Sequence, residues 1–147
     1  LWIILFRRAM IRLSSIIADA IGAPALISGE SVGQVASQTL SNIRATSDAA
    51  DRPIIRPLGG SNKEDIVRLA EKIGTYEISI EPYDDCCSFF VPIHPETKAD
   101  LKSVKKIENQ IDFGKMFSKA LDDSDIIEID YPDYIKRSVE KLENIDD

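Results

Sequence analysis

Cysteine and histidine are scarce in this sequence of 147 residues, which has two cysteines, Cys86 and Cys87, and one histidine, His94. Adjacent cysteines cannot pair with each other without a distorted peptide, so no disulfide framework is expected and a reducing compartment is indicated. Zinc takes four protein ligands, or three and a water, and His94 lacks a credible ligand set. The sequence therefore predicts a cytoplasmic protein without a disulfide scaffold or a metal centre of its own.

An excess of basic residues and any long apolar run are also missing. The 18 Lys and Arg are outnumbered by 25 Asp and Glu, which gives a net charge of −7. This balance argues against the broad basic surface of an autonomous nucleic-acid binder. The N-terminal run LWIILF is far too short to span a membrane and has no cleavage site after it, so neither a membrane protein nor a signal peptide is indicated.

The chain does contain an alternation of short apolar runs and helical patterns over its first half. Strands are predicted in LWIILF, PALIS (24–28) and PIIRPL (53–58). Helices are predicted over about residues 8–21, 31–43 and 62–74. Gly22 and Gly74 are typical helix stops, and Ser61 with Glu64 forms a capping-box pattern. Such alternation indicates an α/β fold with a parallel sheet and flanking helices.

The second half has a different character. A loop-like segment with a short strand or two follows Tyr76, and helices are predicted over residues 96–111, 112–123 and 131–145. The segment DIIEID (125–130) is either a strand or an extended connection. We expect a helical C-terminal extension over residues 105–147.

The stretch GESVGQVASQT (29–39) follows a predicted strand, where ligands bind in parallel sheets. Gly29 allows a sharp turn and close approach of a ligand, and a helix start offers N–H groups to a phosphate or ring carbonyl. Glu30 suits a ribose hydroxyl or a metal-bound water. No GxGxxG or GxxxxGK[ST] motif is present, so from the residues alone the packing of small side chains against a sheet is the favoured alternative.

Two further groups leave alternatives open. The segment YDDCCSFF presents either a reactive thiol at Cys86 or Cys87, or a buried small apolar residue, and the adjacent aspartates oppose thiolate formation. Arg7, Arg8 and Arg12 form the densest basic patch, which is either a phosphate clamp or a solvated helix start.

Three long segments together resemble one known family. FRRAMIRLSSIIAD, ALISGESVGQVASQTLSNI and the stretch from PIIRPLGG to IHPET resemble, in order and nearly without gaps, the tRNA 4-thiouridine sulfurtransferases of the ThiI family. GESVGQVASQT and GTYEISIEPYDDCC are the specific parts. The resemblance implies an adenine-nucleotide α-hydrolase-like (PP-loop) fold, with residues 1–104 as the C-terminal portion of the adenylation domain.

The resemblance also implies an activity. Family members are tRNA uracil 4-sulfurtransferases, which use ATP and Mg²⁺ to adenylate a uridine near position 8 of tRNA and replace its oxygen with persulfide sulfur. A related role supplies sulfur to the thiamine thiazole. The implied partners are tRNA and a persulfide donor such as a cysteine desulfurase. The alternatives are a nucleotide- or RNA-binding fragment with structural cysteines, or a PP-loop ligase, which has no need of the cysteine segment.

By position, the resemblance assigns ATP-binding roles to Arg7, Gly29 and Gln38, and the catalytic role on the persulfide to Cys86. It carries no role to Cys87. The SGGxDS phosphate loop and the tRNA-binding domains of the family are not in this sequence, so we expect a chain truncated at its N-terminus that relies on upstream segments for Mg²⁺ and is inactive alone. An uncovered sheet edge is expected to make it a homo-oligomer.

Overall fold

The computed structural model describes residues 1–82, 96–130 and 135–139. The helices in these ranges are α1 (Trp2–Ala20), α2 (Leu40–Ser47), α3 (Lys63–Lys72), α4 (Tyr76–Ser79), α5 (Leu101–Glu108) and α6 (Phe113–Asp122), with a 3-10 helix at Ala36–Gln38. The strands are β1 (Leu26–Ile27), β2 (Ile54–Ile55), β3 (Ile126–Asp130) and β4 (Ile135–Val139). None of the described helices is long and apolar enough to cross a membrane.

A short parallel sheet positions the first half of the chain. β1 pairs with β2 in the register Leu26–Ile54 and Ile27–Ile55. The amide of Ser28 donates to the carbonyl of Ile55 at 2.9 Å. The strands predicted in PALIS and PIIRPL are confirmed, although each is only two residues long. Because parallel strands end at the same side, the loops after β1 and β2 meet at what we call the carboxyl edge.

The prediction of a strand in LWIILF is wrong, because α1 begins at Trp2. Ile4 and Leu5 are buried on one side of the helix, whereas Trp2 is 75% exposed on the other. A short apolar run does not distinguish a strand from a half-buried helix, and only tertiary packing decides. The predicted stop at Gly22 agrees with its φ of 68°, a left-handed conformation that glycine adopts without steric cost.

Side-chain caps shift two predicted helix starts. α2 begins only at Leu40, because the Thr39 hydroxyl accepts from the Asn42 amide at 3.2 Å and caps the helix there. The residues before it form turns and the 3-10 helix instead of the predicted helix over 31–43. α3 is capped by Asn62, whose side chain accepts from the Asp65 amide at 2.9 Å, and not by the predicted Ser61.

The C-terminal region departs furthest from the expected helices. α6 agrees with the helix predicted over 112–123. In contrast, the helix predicted over 131–145 is wrong for residues 135–139, which form β4 and pair antiparallel with β3. The strand alternative for DIIEID is thereby confirmed. The expected domain division at residue 104 falls inside α5 and stays a prediction.

The apolar core is small and lies where α1 crosses α2 and α5. Its buried members, with their exposed fractions, are Ile4 0%, Leu5 6%, Ala45 1%, Ala99 9% and Val104 0%. Half-buried Leu1, Ile3 and Leu101 pack around them. Leu and Ile side chains from α1 therefore supply most of the apolar volume, and α2 approaches closely because it contributes only an alanine.

A buried ion-pair network joins the same three helices. Arg8, on α1, is fully buried and donates to Glu108 on α5 at 3.0 Å and 2.7 Å. It also donates to the Ala45 carbonyl and, at 3.2 Å, to Asp48 just after α2. Arg12 donates to both Glu108 oxygens at 3.1 Å and 3.0 Å. One carboxylate thus accepts hydrogen bonds from two guanidinium groups, which is the strong bidentate geometry.

The charges of this network shift the pKa values of its members. Burial alone raises the pKa of Glu108, but hydrogen bonds and charge from Arg8 and Arg12 outweigh it and lower the pKa to about 2. The hydrogen bond to Glu108 in turn raises the pKa of Arg12. The pKa of Asp48 is lowered, first by the hydrogen bond from Lys105. Glu108, Arg12 and Asp48 are therefore charged at neutral pH.

The parallel sheet leaves apolar side chains exposed. Ile27 of β1 is 75% exposed and Ile55 of β2 is 51% exposed. These exposures agree with the expected uncovered apolar surface at the sheet. The self-association that was inferred from this surface stays a prediction.

We expect Glu108→Gln to lower the free energy of unfolding by about 3 kcal/mol at pH 7, because Arg8 remains buried without its main counter-charge. The folded-state pKa of Glu108 lies below its ordinary value of 4.5, at about 2. Its contribution is therefore complete above about pH 4.5 and is lost as the pH falls toward 2. Urea unfolding at pH 7, 5 and 3 should show the difference between wild type and variant shrinking at low pH.

Glu64→Gln is the matched control, because Glu64 forms a surface pair with Arg68 at 3.6 Å. It should change the free energy of unfolding by less than about 0.5 kcal/mol at every pH. Equal effects of the two substitutions would contradict the structural role of the buried pair.

Candidate functional site

The carboxyl edge is built from the loop after β1 and the turn after β2. The Ser31 hydroxyl donates to the Ser61 carbonyl at 2.7 Å. The Val32 amide donates to the Gly59 carbonyl at 3.1 Å. These bonds hold the loop after β1 against the turn after β2. Because both connect to the paired strands, the sheet sets the position of the loop.

Arg7 reaches this edge from α1. Its guanidinium donates to the Ser37 hydroxyl at 3.3 Å and to the carboxylate of Glu30. The Gly33 amide donates to the Gln38 carbonyl at 2.9 Å and closes the loop. Gly33 has a φ of 79°, a left-handed conformation that favours glycine. The structure therefore brings together the neighbourhoods of Arg7, Gly29 and Gln38, while their ATP-binding roles stay predictions.

Glu30 occupies the centre of the edge. It is only 5% exposed, and its second oxygen accepts from the Nε of Arg56 at 2.6 Å. Both oxygens accept from arginines, so the carboxylate links α1 to the turn after β2. The suggested role of Glu30 with a ribose hydroxyl or a metal-bound water stays a prediction.

Arg56 was missed in the sequence because nothing in its spacing relates it to Glu30, 26 positions earlier. Its guanidinium also donates to the Ser47 hydroxyl at 2.7 Å and to the Ile54 carbonyl at 3.3 Å. The predicted strand PIIRPL (53–58) included Arg56, so nothing in the sequence indicated that this arginine directly follows a strand, as it does after β2 in the structure.

Gly29 is exposed and leaves room beside its backbone. A Cβ placed on Gly29 would meet no other atom within 4 Å. The structure thus has space at this position for a group to approach the main chain closely, which agrees with the reason for singling out a glycine at the end of the strand.

The remaining two arginines of the basic patch both bind Glu108. Arg8 is fully buried against Glu108, and Arg12 binds the same carboxylate. The patch of three arginines therefore separates into Arg7 at the carboxyl edge, Arg8 in the core, and Arg12, which binds Glu108 while 40% of its side chain stays exposed. The division follows from helix geometry, because consecutive residues point about 100° apart.

Residues 96–99 are attached to the elements that carry Gln38. The fully buried Asn42 amide donates to the Ala36 and Glu96 carbonyls at 2.8 Å and 2.7 Å. Its oxygen accepts from the Ala99 amide at 2.9 Å. The Thr39 hydroxyl donates to the Thr97 carbonyl at 2.7 Å. The chain after residue 95 is thereby fixed against the 3-10 helix.

The cysteines Cys86 and Cys87, together with His94, lie outside the described residues. The catalytic role of Cys86 therefore stays a prediction. Within the described ranges, no group of three or more His, Cys, Asp and Glu side chains is arranged to hold a metal ion.

Comparison with known proteins gives a consistent result. The family described as thiamine biosynthesis protein (ThiI) matches residues 1–113. A probable tRNA sulfurtransferase of Acetivibrio thermocellus is 44% identical over 126 residues, which are 86% of this chain and 32% of that protein. A probable tRNA sulfurtransferase of Caldanaerobacter subterraneus subsp. tengcongensis is 46% identical over the same length, which is 33% of that protein.

A solved structure agrees with these relatives. It is the crystal structure of a 4-thiouridine synthetase–RNA complex with bound ATP, and it matches 82% of this chain with a TM-score of 0.75 and 44% identity. The predicted PP-loop fold class is thereby confirmed. The match covers 32% of that chain, so this sequence spans about a third of the length of the relatives it matches.

We expect Asn42→Ala to lower the free energy of unfolding by about 2 kcal/mol, because the Ala99 amide and two carbonyls lose their buried partner. Asn62→Ala, which removes the exposed α3 cap, should cost about 1 kcal/mol. Hydrogen exchange separates the two effects: only Asn42→Ala should speed exchange at Ala99. Unchanged protection of that amide would show that Asn42 does not hold this segment.

Proposed function

Because the chain belongs to the ThiI family, we propose that it supplies the adenine-nucleotide side of an ATP-dependent tRNA sulfurtransferase that makes 4-thiouridine. The observation that carries the proposal is the carboxyl edge, where Arg7, Gly29 and the 3-10 helix ending at Gln38 meet. Ligands of parallel α/β sheets bind at this edge.

The residues at the edge fit ATP in their chemistry. Arg7 keeps 21% of its side chain exposed and carries a permanent positive charge, which suits an anionic ligand. Gly29 leaves open space beside the main chain for close approach. Gln38 contributes an amide that both donates and accepts hydrogen bonds, as recognition of a base or a ribose requires.

The role of ATP in the proposed reaction is to create a leaving group. The uridine O4 attacks the α-phosphorus of ATP, pyrophosphate departs, and the uridine carries an adenylate. The terminal sulfur of a persulfide then attacks C4, and AMP leaves with the former carbonyl oxygen. A uridine carbonyl oxygen is a poor leaving group by itself, so the adenylate lowers the barrier to its displacement.

Cys86 completes the sulfur transfer in this proposal. Its thiolate attacks the donor sulfur that remains joined to the new C4–S group, and the S–S bond breaks. The sulfur stays on the uridine, while the donor and Cys86 form a disulfide that a thiol reductant later opens. The persulfide donor is a protein such as a cysteine desulfurase. The family is described as a thiamine biosynthesis protein, and the persulfide sulfur would also supply the thiamine thiazole in this proposal.

Among the described residues, no group of three or more His, Cys, Asp and Glu side chains is arranged to hold a metal ion. Mg²⁺ would enter the proposed reaction bound to the phosphates of ATP. The partners of the proposed enzyme are tRNA and the sulfur donor, and its compartment is the cytoplasm.

We expect Gly29→Val in the complete enzyme to weaken ATP binding at least tenfold while the free energy of unfolding stays within about 1 kcal/mol. A Cβ at Gly29 has no atom beyond its chain neighbours within 4 Å, whereas the added methyl groups occupy the space proposed for the ligand. Gly114→Val is the control, since Gly114 belongs to α6 and not to the carboxyl edge, and a Cβ there makes only an ordinary contact with Asp112 Oδ1 at 3.5 Å. It should leave binding within about twofold. Calorimetric titration with ATP measures both, and equal affinities would contradict the role of Gly29.

We expect Cys86→Ala in the complete enzyme to abolish 4-thiouridine formation while ATP-dependent pyrophosphate release continues, because adenylation precedes the thiol step. Cys87→Ala should retain product formation. Nucleoside analysis of the tRNA and a pyrophosphate assay give the two readouts. Normal 4-thiouridine formation by Cys86→Ala would contradict the catalytic role of Cys86.

A further inference from the structure

We propose that Glu30 and Arg56 are positioning residues that hold the guanidinium of Arg7 in place for the nucleotide. This inference rests on the proposed function, in which Arg7 binds ATP. Neither Glu30 nor Arg56 contacts the nucleotide in this proposal. Together with Arg7 they set the preference of the carboxyl edge for an anionic ligand.

The three side chains form a linear arrangement. Glu30 is buried, with Arg7 on one oxygen and the Nε of Arg56 at 2.6 Å from the other. Arg7 belongs to α1, whereas Glu30 and Arg56 belong to the loops at the carboxyl edge. The carboxylate is therefore the link through which the sheet sets where the arginine of a different element points.

Arg56 is the fixed end of this arrangement. Its guanidinium donates to the Ile54 carbonyl, to the Ser47 hydroxyl and to Glu30, so hydrogen bonds hold it from three directions. Glu30 in turn has its amide bonded to the Ser28 hydroxyl at 3.3 Å. An arginine alone on a helix surface samples many rotamers, and this arrangement removes that freedom before the ligand arrives.

The charge balance favours an anionic ligand. Arg7 and Arg56 contribute two positive charges and Glu30 one negative charge, which leaves one positive charge at the edge. Glu30 thus neutralises one arginine in a partly buried site and leaves the exposed part of Arg7 for a phosphate or another anionic group.

The test compares Glu30→Gln and Arg56→Met with the control Arg52→Met. Arg52 lies before β2, at the opposite end of the sheet, and is likewise held by three partners: Asp19, Asp51 at 2.9 Å and the Ala23 carbonyl at 2.7 Å. Its loss removes a comparable set of structural bonds without touching Arg7. The protein used is the complete enzyme that contains this sequence, and it is the same for every variant.

The first readout is the Arg7 side chain itself, observed by NMR relaxation of its Nε–H group without nucleotide. Glu30→Gln and Arg56→Met should both shift this resonance and markedly lower its order parameter, whereas Arg52→Met should leave it unchanged. An equally ordered Arg7 in both edge variants would overturn the inference, whatever the nucleotide data show.

The second readout is ATP affinity by calorimetric titration. Glu30→Gln and Arg56→Met should each weaken binding about tenfold, and Arg52→Met should leave it within about twofold. Adding Arg7→Met to Glu30→Gln should cause little further loss, because the two act as a unit. If Arg7→Met alone has no effect, the proposed function of Arg7 fails; if it weakens binding and the edge variants do not, only the positioning role fails.

Discussion

The structure depends on the buried pair between Arg8 and Glu108. The apolar core where α1 meets α2 and α5 is small, and the largest fully buried side chain is the charged one of Arg8. An arginine is tolerated there because Glu108, Asp48 and the Ala45 carbonyl satisfy its donors. Buried ion pairs contribute uncertain net stability but penalise wrong arrangements severely. We therefore expect the network to specify how the three helices pack, whatever its net contribution to the free energy of unfolding.

This constraint extends to the carboxyl edge. Arg7 and Arg8 are neighbours on α1, so turning one into the core directs the other about 100° around the helix. Arg7 then meets Glu30 and Ser37 beyond β1. The buried Arg8 thus sets the orientation of Arg7, which we assign to the nucleotide. A substitution of Arg8 is therefore expected to change the position of Arg7 at the carboxyl edge.

Local signals predicted much of this fold. The glycine after α1, the two apolar runs that became β1 and β2, and the helical period of α3 and α6 all depend on neighbours in sequence. The errors occurred where tertiary contacts decide. LWIILF packs as a helix against α2 and α5, and residues 135–139 pair with β3 instead of continuing a helical pattern. The resemblance identified Arg7, Gly29 and Gln38, but Glu30 and Arg56 are joined only in space, so neither period nor spacing could connect them.

The pair between Arg8 and Glu108 also has a consequence for synthesis on the ribosome. Its partners are 100 positions apart in the chain. At about 5–20 residues per second, α1 leaves the ribosome roughly 5–20 s before α5 is complete. Throughout this interval Arg8 lacks its main counter-charge, Glu108, although the Ala45 carbonyl and Asp48 have already been made. The paired arrangement of Arg8 is therefore completed only after residue 108 has been synthesised.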